Sequence, residues 1–180
     1  MRRCWKHPRW RDCSGMTLIE LSIVIGIMAV LMVLAVTALN RARLAANESG
    51  AIGALRTVTK AQFAYAADCG HGNYAPSLVI LGQKPPGVKA GYLNEDMSYA
   101  PTVRTTGYYV TVRTGAGSAK VGPDCLGNAT DTRYYALAVP IELNKTGRRA
   151  FATSQTSAVW QRFGNVPPSE PFAPPSELAQ

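Results

Sequence analysis

Cysteine, histidine and aspartate side chains in two parts of the chain have the chemistry of metal ligands. Cys69 and His71 are two residues apart, and Cys125 directly follows Asp124. Zinc sites in proteins pair their ligands as Cys-x2–4-Cys or His-x3–5-His, and neither spacing occurs here. The spacing therefore argues against a zinc site at these residues.

Calcium is a second candidate metal, because Asp124, Asn128 and Asp131 supply carboxylate and amide oxygens within eight residues. A calcium loop also needs a glutamate that binds the ion through both oxygens, in a defined register, and the sequence shows none here. We interpret the three residues as solvated turn residues, and we predict no metal site and no cofactor.

Catalysis finds no support in the sequence. Outside the first 15 residues the chain has one histidine, His71. It has no Gly-x-Ser-x-Gly motif, no phosphate-binding glycine loop and no close pair of carboxylates for general acid and base. The sequence therefore predicts a protein that is not an enzyme, with no catalytic residues.

Aromatic residues cluster in the second half of the chain and could stack on nucleic-acid bases, but their positions in the expected strands favour packing in a half-buried β-sheet. They are Tyr108, Tyr109, Tyr134, Tyr135 and Trp160. Half of the net charge of +8 lies in the first 15 residues, and the rest is scattered. The charge distribution thus argues against a nucleic-acid partner.

The N-terminal segment combines a basic stretch with a long apolar run. Residues 21–39 carry no charge, and the 20 uncharged residues between Glu20 and Arg41 would span about 30 Å as a helix. A basic stretch before an apolar run is the pattern that keeps the N-terminus in the cytoplasm. Two interpretations need only these features: a secretory signal peptide cut near residues 36–38, or a plain signal anchor.

The junction between the two stretches carries a more specific pattern. It reads Gly15-Met16-Thr17-Leu18-Ile19-Glu20-Leu21. This resembles the prepilin signal of type IV pilins and of the pseudopilins of type II secretion systems. In that family a basic leader ends in glycine. A neutral residue comes next, followed in order by Thr, Leu, Ile, Glu and Leu. Met16 stands where phenylalanine is commonest in the family.

The resemblance implies a processing chemistry. It implies that prepilin peptidase cuts between Gly15 and Met16 and methylates the new amine of Met16. It also implies that Glu20 pairs in the filament with the positive N-terminus of a neighbouring subunit. An ionisable residue at the edge of a membrane segment is a candidate functional residue in its own right, and the helix dipole alone would also favour an acid there.

The resemblance further implies the partners and location of the protein. The partners are copies of this chain and related pilins, prepilin peptidase, and an inner-membrane assembly platform with its ATPase motor. The protein would cross the bacterial inner membrane once, with a cytoplasmic leader and a periplasmic C-terminal domain, and would reach an extracellular pilus on assembly. A type II secretion pseudopilin, a membrane-anchored binding domain that never polymerises and a DNA-uptake or adhesion pilin remain open alternatives.

The elements that position these residues follow from the resemblance and from periodicity. We expect an α+β, pilin-like fold, in which a long N-terminal helix packs on a small antiparallel sheet. Apolar or small residues at spacings of three and four continue the helix to Asp68, where Gly70 could adopt a left-handed cap. They are Ile52, Leu55, Thr59, Phe63 and Ala66.

The remaining segments set the expected boundaries. A helical turn is expected between Pro76 and Leu81, and strands are expected at residues 108–114, 133–139, 150–153 and 158–162. Five prolines after residue 163 predict an extended or disordered tail. The domains would be a leader at 1–15, a transmembrane and filament-core helix at 16–40, an exported domain at 41–163 and the tail at 164–180.

Two of the four cysteines, Cys4 and Cys13, lie in the leader and would be lost on cleavage. Cys69 and Cys125 would both face an oxidising compartment outside the cytoplasmic membrane. A disulfide between Cys69 and Cys125 is the simplest expectation, and it would tie the end of the helix to a loop of the sheet.

Overall fold

A computed structural model describes residues 16–179 of the chain. Gly15, Cys4 and Cys13 lie outside these described residues. The chain divides into two compact units between Asn40 and Arg41. The helices are α1 (Leu18–Asp68) and α2 (Leu78–Gly82), with a 3-10 turn at Glu95–Met97. The strands are β1 (Thr102–Thr105), β2 (Tyr108–Thr114), β3 (Lys120–Pro123), β4 (Ala129–Asp131), β5 (Tyr134–Pro140), β6 (Arg149–Ser154), β7 (Val159–Phe163) and β8 (Glu177–Leu178).

The described part of the N-terminal unit contains the first part of α1. Leucine, methionine and alanine favour a helix, and the absence of proline between residues 16 and 40 lets it continue without a break. Every described residue of this unit is exposed. Its most apolar window has a mean hydropathy of 2.7, so in the part of the chain that the structure describes, α1 has the length and composition to cross a membrane.

In the second unit, the continuation of α1 packs one face on the sheet. The buried positions follow spacings of four and three along Ala51, Leu55, Val58, Gln62 and Tyr65, which is the period of an amphipathic helix. The expected stripe was only partly right, because the Phe63 side chain is 41% exposed. Phe63 instead meets Tyr74 edge-on at the border of the core, with ring centroids 6.1 Å apart.

Helix α1 ends at Asp68, as the sequence predicts, but the expected left-handed cap at Gly70 is wrong. The positive φ angles belong to His71 (52°) and Gly72 (84°), and the Gly72 amide donates to the Ala66 carbonyl over 2.8 Å. Gly70 serves close packing, since a Cβ there would collide with the Asn73 carbonyl oxygen and the Tyr65 ring. A short segment later, the Ser77 hydroxyl accepts the amide of Ile80 and starts the predicted short helix.

The main sheet has six antiparallel strands in the order β1-β2-β5-β6-β7-β8, and β3 and β4 form a separate two-stranded ribbon. Each of the four predicted strands is present within one residue at either end. The structure describes more strands than these four, because β1, β3, β4 and β8, which have two to four residues each, were not predicted. Strands this short have too few residues to show an alternating pattern in the sequence.

The core lies between α1 and one face of the sheet. Along β2 and β5, side chains of alternate residues point to this face, so that Val110 lies opposite Ala138 and Val112 opposite Ala136. Fully buried Gln62 pairs its amide group with the backbone of Ala75, donating over 2.8 Å and accepting over 2.9 Å. This α+β arrangement of a long N-terminal helix on an antiparallel sheet confirms the pilin-like fold expected from the resemblance.

The other face of the sheet is partly covered by the proline-rich tail. The Phe172 ring lies between those of Trp160 and Tyr135, with centroid distances of 5.4 and 6.3 Å. The Tyr135 hydroxyl donates to the Pro168 carbonyl, and Leu178 in β8 pairs with Trp160 in β7. The tail is extended, as its composition predicts, and aromatic stacking and strand pairing hold it on the sheet.

Candidate functional site

The start of α1 carries a reciprocal hydrogen-bonded cap between Thr17 and Glu20. The Glu20 carboxylate accepts the Thr17 amide over 2.9 Å and the Thr17 hydroxyl over 2.8 Å. The Glu20 amide donates back to the Thr17 hydroxyl oxygen over 3.2 Å. A threonine followed three residues later by glutamate is the sequence pattern of this capping box. With Thr17 as the capping residue, the helix begins at Leu18, two residues after Met16.

This cap gives Glu20 a defined place next to the predicted processing site. Its carboxylate is bonded to the residue that follows Met16, so it lies at the N-terminal end of the helix, where the backbone dipole favours negative charge. The apolar side chains around it are exposed, Leu18 to 87% and Met16 to 67%. An exposed apolar helix of this kind needs lipid or other apolar helices to cover it.

At the other end of α1, a disulfide links Cys69 to Cys125. The two Cα atoms are 4.9 Å apart, the sequence separation is 56 residues, and Cys69 is fully buried. The Cys125 amide also donates to the Cys69 carbonyl oxygen over 3.0 Å. The link joins the end of the helix to the loop between β3 and β4.

The same loop is organised by the carboxylate of Asp124. One oxygen accepts the amides of Leu126 and Asn128 over 2.8 and 2.7 Å. The other accepts the Tyr65 hydroxyl over 2.7 Å and the Asn128 side-chain amide over 3.0 Å. Burial alone would raise the pKa of this carboxyl, but the hydrogen bonds from Asn128, Tyr65 and Leu126 outweigh it and lower the pKa below its usual value.

The residues with metal-ligand chemistry are therefore engaged in other contacts. Both sulfur atoms of the zinc candidate are in the disulfide, and His71 is exposed. The expectation that the calcium candidates are solvated is wrong, because Asp124 and Asp131 are 6% and 1% exposed. Asp131 accepts the Thr114 hydroxyl over 2.6 Å. Among residues 16–179, no group of three or more His, Cys, Asp or Glu side chains could hold a metal ion.

The tyrosine pairs of the sheet divide between its two faces. Tyr108 and Tyr134 are fully buried against α1, and burial raises the pKa of Tyr134 to about 12. Tyr109 is 43% exposed on the other face, while Tyr135 is half-buried under the tail. Burial, followed by the charge of Glu170, raises the pKa of Tyr135 to about 12. Three of the four rings thus pack within the domain, in agreement with the predicted packing in a half-buried sheet.

A buried ion pair in the second unit was not anticipated from the sequence. Glu48, 6% exposed, accepts the Arg149 Nε and guanidinium NH2 over 2.9 and 2.5 Å and the Arg148 amide over 2.8 Å. Arg149 donates its third hydrogen bond to Gln161 over 2.7 Å. One sequence signal does point to Glu48: it lies three residues before Ala51, on the buried stripe of α1. Nothing local in the sequence identifies its partner.

Comparison with known proteins identifies the N-terminal segment. Residues 10–36 match the family model of the prokaryotic N-terminal methylation motif, which is the prepilin-type signal of type IV pilins and pseudopilins. No curated protein and no solved structure matches the chain. The motif implies processing by prepilin peptidase and a part in pilin-type assembly, and it occurs in a structural rather than a catalytic family. Together with the apolar helix, it indicates a membrane-anchored, pilin-like protein.

Proposed function

We propose that this chain is a structural, type IV pilin-like subunit that polymerises into a helical filament. Prepilin peptidase cuts between Gly15 and Met16 and methylates the amine of Met16. The observation that carries this proposal is the methylation motif at residues 10–36. It runs without interruption into a 51-residue helix whose second part packs on an antiparallel sheet.

Before assembly, the protein is held in the bacterial inner membrane by one helix. Residues 1–15 form the cytoplasmic leader, 16–40 cross the bilayer, 41–163 form the periplasmic domain, and 164–180 form its tail. The exposed apolar surface of residues 16–40 supports this topology, because lipid is its natural solvent before any filament forms. The Cys69 to Cys125 disulfide supports a periplasmic domain, since that compartment is oxidising.

On assembly, residues 16–40 move from lipid into a filament core of like helices, driven by the inner-membrane platform and its ATPase motor. The apolar side chains stay covered throughout, so packing and polar contacts decide which subunits add. Contacts that join unlike surfaces without closing generate a helical filament. Glu20 supplies the polar contact, because the Thr17 cap holds its carboxylate beside the chain terminus, where a neighbour's positive amine can reach it.

The first test is the intact mass and N-terminal sequence of the protein from its native membrane. We expect a chain that begins at N-methylated Met16. A chain that begins at Met1 would instead indicate an uncut anchor that never polymerises, and one that begins near Leu39 would indicate a secreted domain. Either result would overturn the proposed function.

The second test replaces Glu20. We expect Glu20→Leu to abolish filaments sheared from cells while the chain in the membrane is still cut before Met16. Ser22→Ala is the matched control, because the Ser22 hydroxyl donates to the Ile19 carbonyl in the same helical turn. Normal filament yield from Glu20→Leu would refute the pairing. The protein is instead a pseudopilin if wild-type cells shed no filaments and cells that lack its gene fail to secrete a substrate of the type II system.

A further inference from the structure

Two arginines of the second unit face a small hollow beside α1. The hollow has a volume of about 150 Å³ and is lined by Arg41, Leu44, Ala45, Glu48 and Arg148. Each water molecule occupies about 30 Å³, so the hollow has room for a small polar group such as a phosphate. Both arginine residues are exposed, and they come from sequence positions more than a hundred residues apart.

The backbone of Arg148 is held on both sides. Its amide donates to a Glu48 carboxylate oxygen over 2.8 Å, and its carbonyl accepts the Gly164 amide over 2.9 Å. The loop before it is also fixed to α1, because the Asn47 side chain donates to the Thr146 carbonyl over 2.9 Å. The Arg148 side chain therefore projects from a rigid base, which lowers the entropy lost when it binds a ligand.

The charge in the hollow is positive. Among the described residues that line it, Glu48 is the one acidic residue, and its carboxylate already forms an ion pair with Arg149, whose NH2 lies 2.5 Å away. Across the described residues 16–179, neither Arg41 nor Arg148 forms a salt bridge. Two guanidinium groups are left to bind an anion, and guanidinium geometry suits the oxygens of a phosphate.

The position of Arg41 in the sequence sets the depth of the hollow, because Arg41 directly follows the proposed membrane-spanning segment, residues 16–40. Headgroups add about 5–7 Å to each side of the hydrocarbon core, which corresponds to about four or five residues of helix. Arg41, Leu44 and Ala45 fall in that range directly after the 20 uncharged residues. The lining contributed by α1 thus lies at the level of lipid phosphates.

We propose that Arg41 and Arg148 bind the phosphate of an anionic phospholipid headgroup, which steadies the domain at the membrane before assembly. This inference rests on the proposed membrane topology. Basic residues near a bilayer surface attract anionic lipids by an amount that corresponds to about a fivefold change in affinity per residue. The site is used only by the membrane-held subunit, because the lipid is left behind when residues 16–40 enter the filament.

Native mass spectrometry of the full chain in neutral detergent micelles tests the site. The micelles receive equal amounts of phosphatidylglycerol and phosphatidylcholine with the same acyl chains. We expect wild-type protein to retain an excess of phosphatidylglycerol, and we expect Arg41→Gln and Arg148→Gln each to reduce its retention about fivefold. Arg56→Gln is the matched control, because Arg56 is an exposed arginine on the same helix, 15 residues beyond Arg41. This control should retain the wild-type excess.

Equal retention of the two lipids, or the same loss in Arg56→Gln as in Arg148→Gln, would overturn the proposal. Inorganic phosphate is added in a parallel series. Phosphate adducts that depend on Arg148, without any phosphatidylglycerol excess, would assign the hollow to a soluble anion and overturn the lipid site. An alkaline carbonate wash of reconstituted vesicles separates the two proposals: loss of the protein from vesicles refutes the membrane anchor, whereas retention without lipid preference refutes only the hollow.

Discussion

Removal of the disulfide should destabilise the second unit by about 4 kcal/mol. The change is the double substitution of Cys69 and Cys125 by serine. The bond closes a loop with a sequence separation of 56 residues, and in the chain-entropy model a loop of that length costs the unfolded chain about 14 cal/mol/K, or about 4 kcal/mol at 25 °C. For a unit of this size, that loss corresponds to a fall in Tm of roughly 15 °C.

The native geometry should survive the substitution, because other contacts hold the same loop. The Tyr65 hydroxyl donates to Asp124 over 2.7 Å, and the Cys125 amide donates to the Cys69 carbonyl over 3.0 Å. Neither bond involves a sulfur atom. We therefore expect near-ultraviolet circular dichroism of the folded variant to match that of the wild type.

Urea unfolding of the full chain in micelles, followed by aromatic fluorescence, measures the loss. Wild-type protein kept in reducing agent is the control, and it should unfold at the same urea concentration as the double variant. Reducing agent should not shift the variant further. A loss below about 1 kcal/mol, with an unchanged urea dependence, would refute the loop-entropy argument.

Three further substitutions probe the contacts that hold the second unit together. Asp124→Asn should make the free energy of unfolding depend less on pH in the acid range. The pKa of Asp124 in the folded protein lies below the unfolded value of about 3.9. Its ionised form therefore adds stability above about pH 4, and this stability is lost as the pH falls further. Urea titrations between pH 3 and 7 measure this, and parallel curves for the two proteins would contradict it. Gly147→Ala should cost about 1–3 kcal/mol in the same assay, since a Cβ there would overlap the Tyr108 phenol group; an unchanged midpoint would show that the loop can move aside. Phe172→Ala should cost about 1–2 kcal/mol and shift Trp160 emission to longer wavelength, because the two rings stack at 5.4 Å, and wild-type emission would show that the tail does not cover Trp160.

The N-terminal chemistry could be predicted because it depends on residues that lie close together in the sequence. The pattern from Gly15 to Leu21 is contiguous, and the Thr17 to Glu20 cap joins residues three apart. Helix α1 could be predicted to end at Asp68, and four strands could be placed within one residue, because periodicity and breakers are also local signals. The disulfide followed from counting cysteines in one compartment.

Contacts between distant residues could not be predicted in the same way. Glu48 and Arg149 are 101 residues apart, and nothing in either local pattern identifies the other as its partner. Asp124 lies in a polar turn that looks solvated, yet tertiary packing places it against Tyr65 and buries it.

Local order was thus determined by the sequence itself, through side-chain size, helix capping and hydrophobic period. Only the tertiary structure decided which charges pair and which remain free. Because the β5–β6 loop packs on α1, the Glu48 carboxylate forms an ion pair with Arg149, and Arg148 faces the hollow. The physical reason is that a buried charge must find a partner, and the fold determines which residue lies within reach.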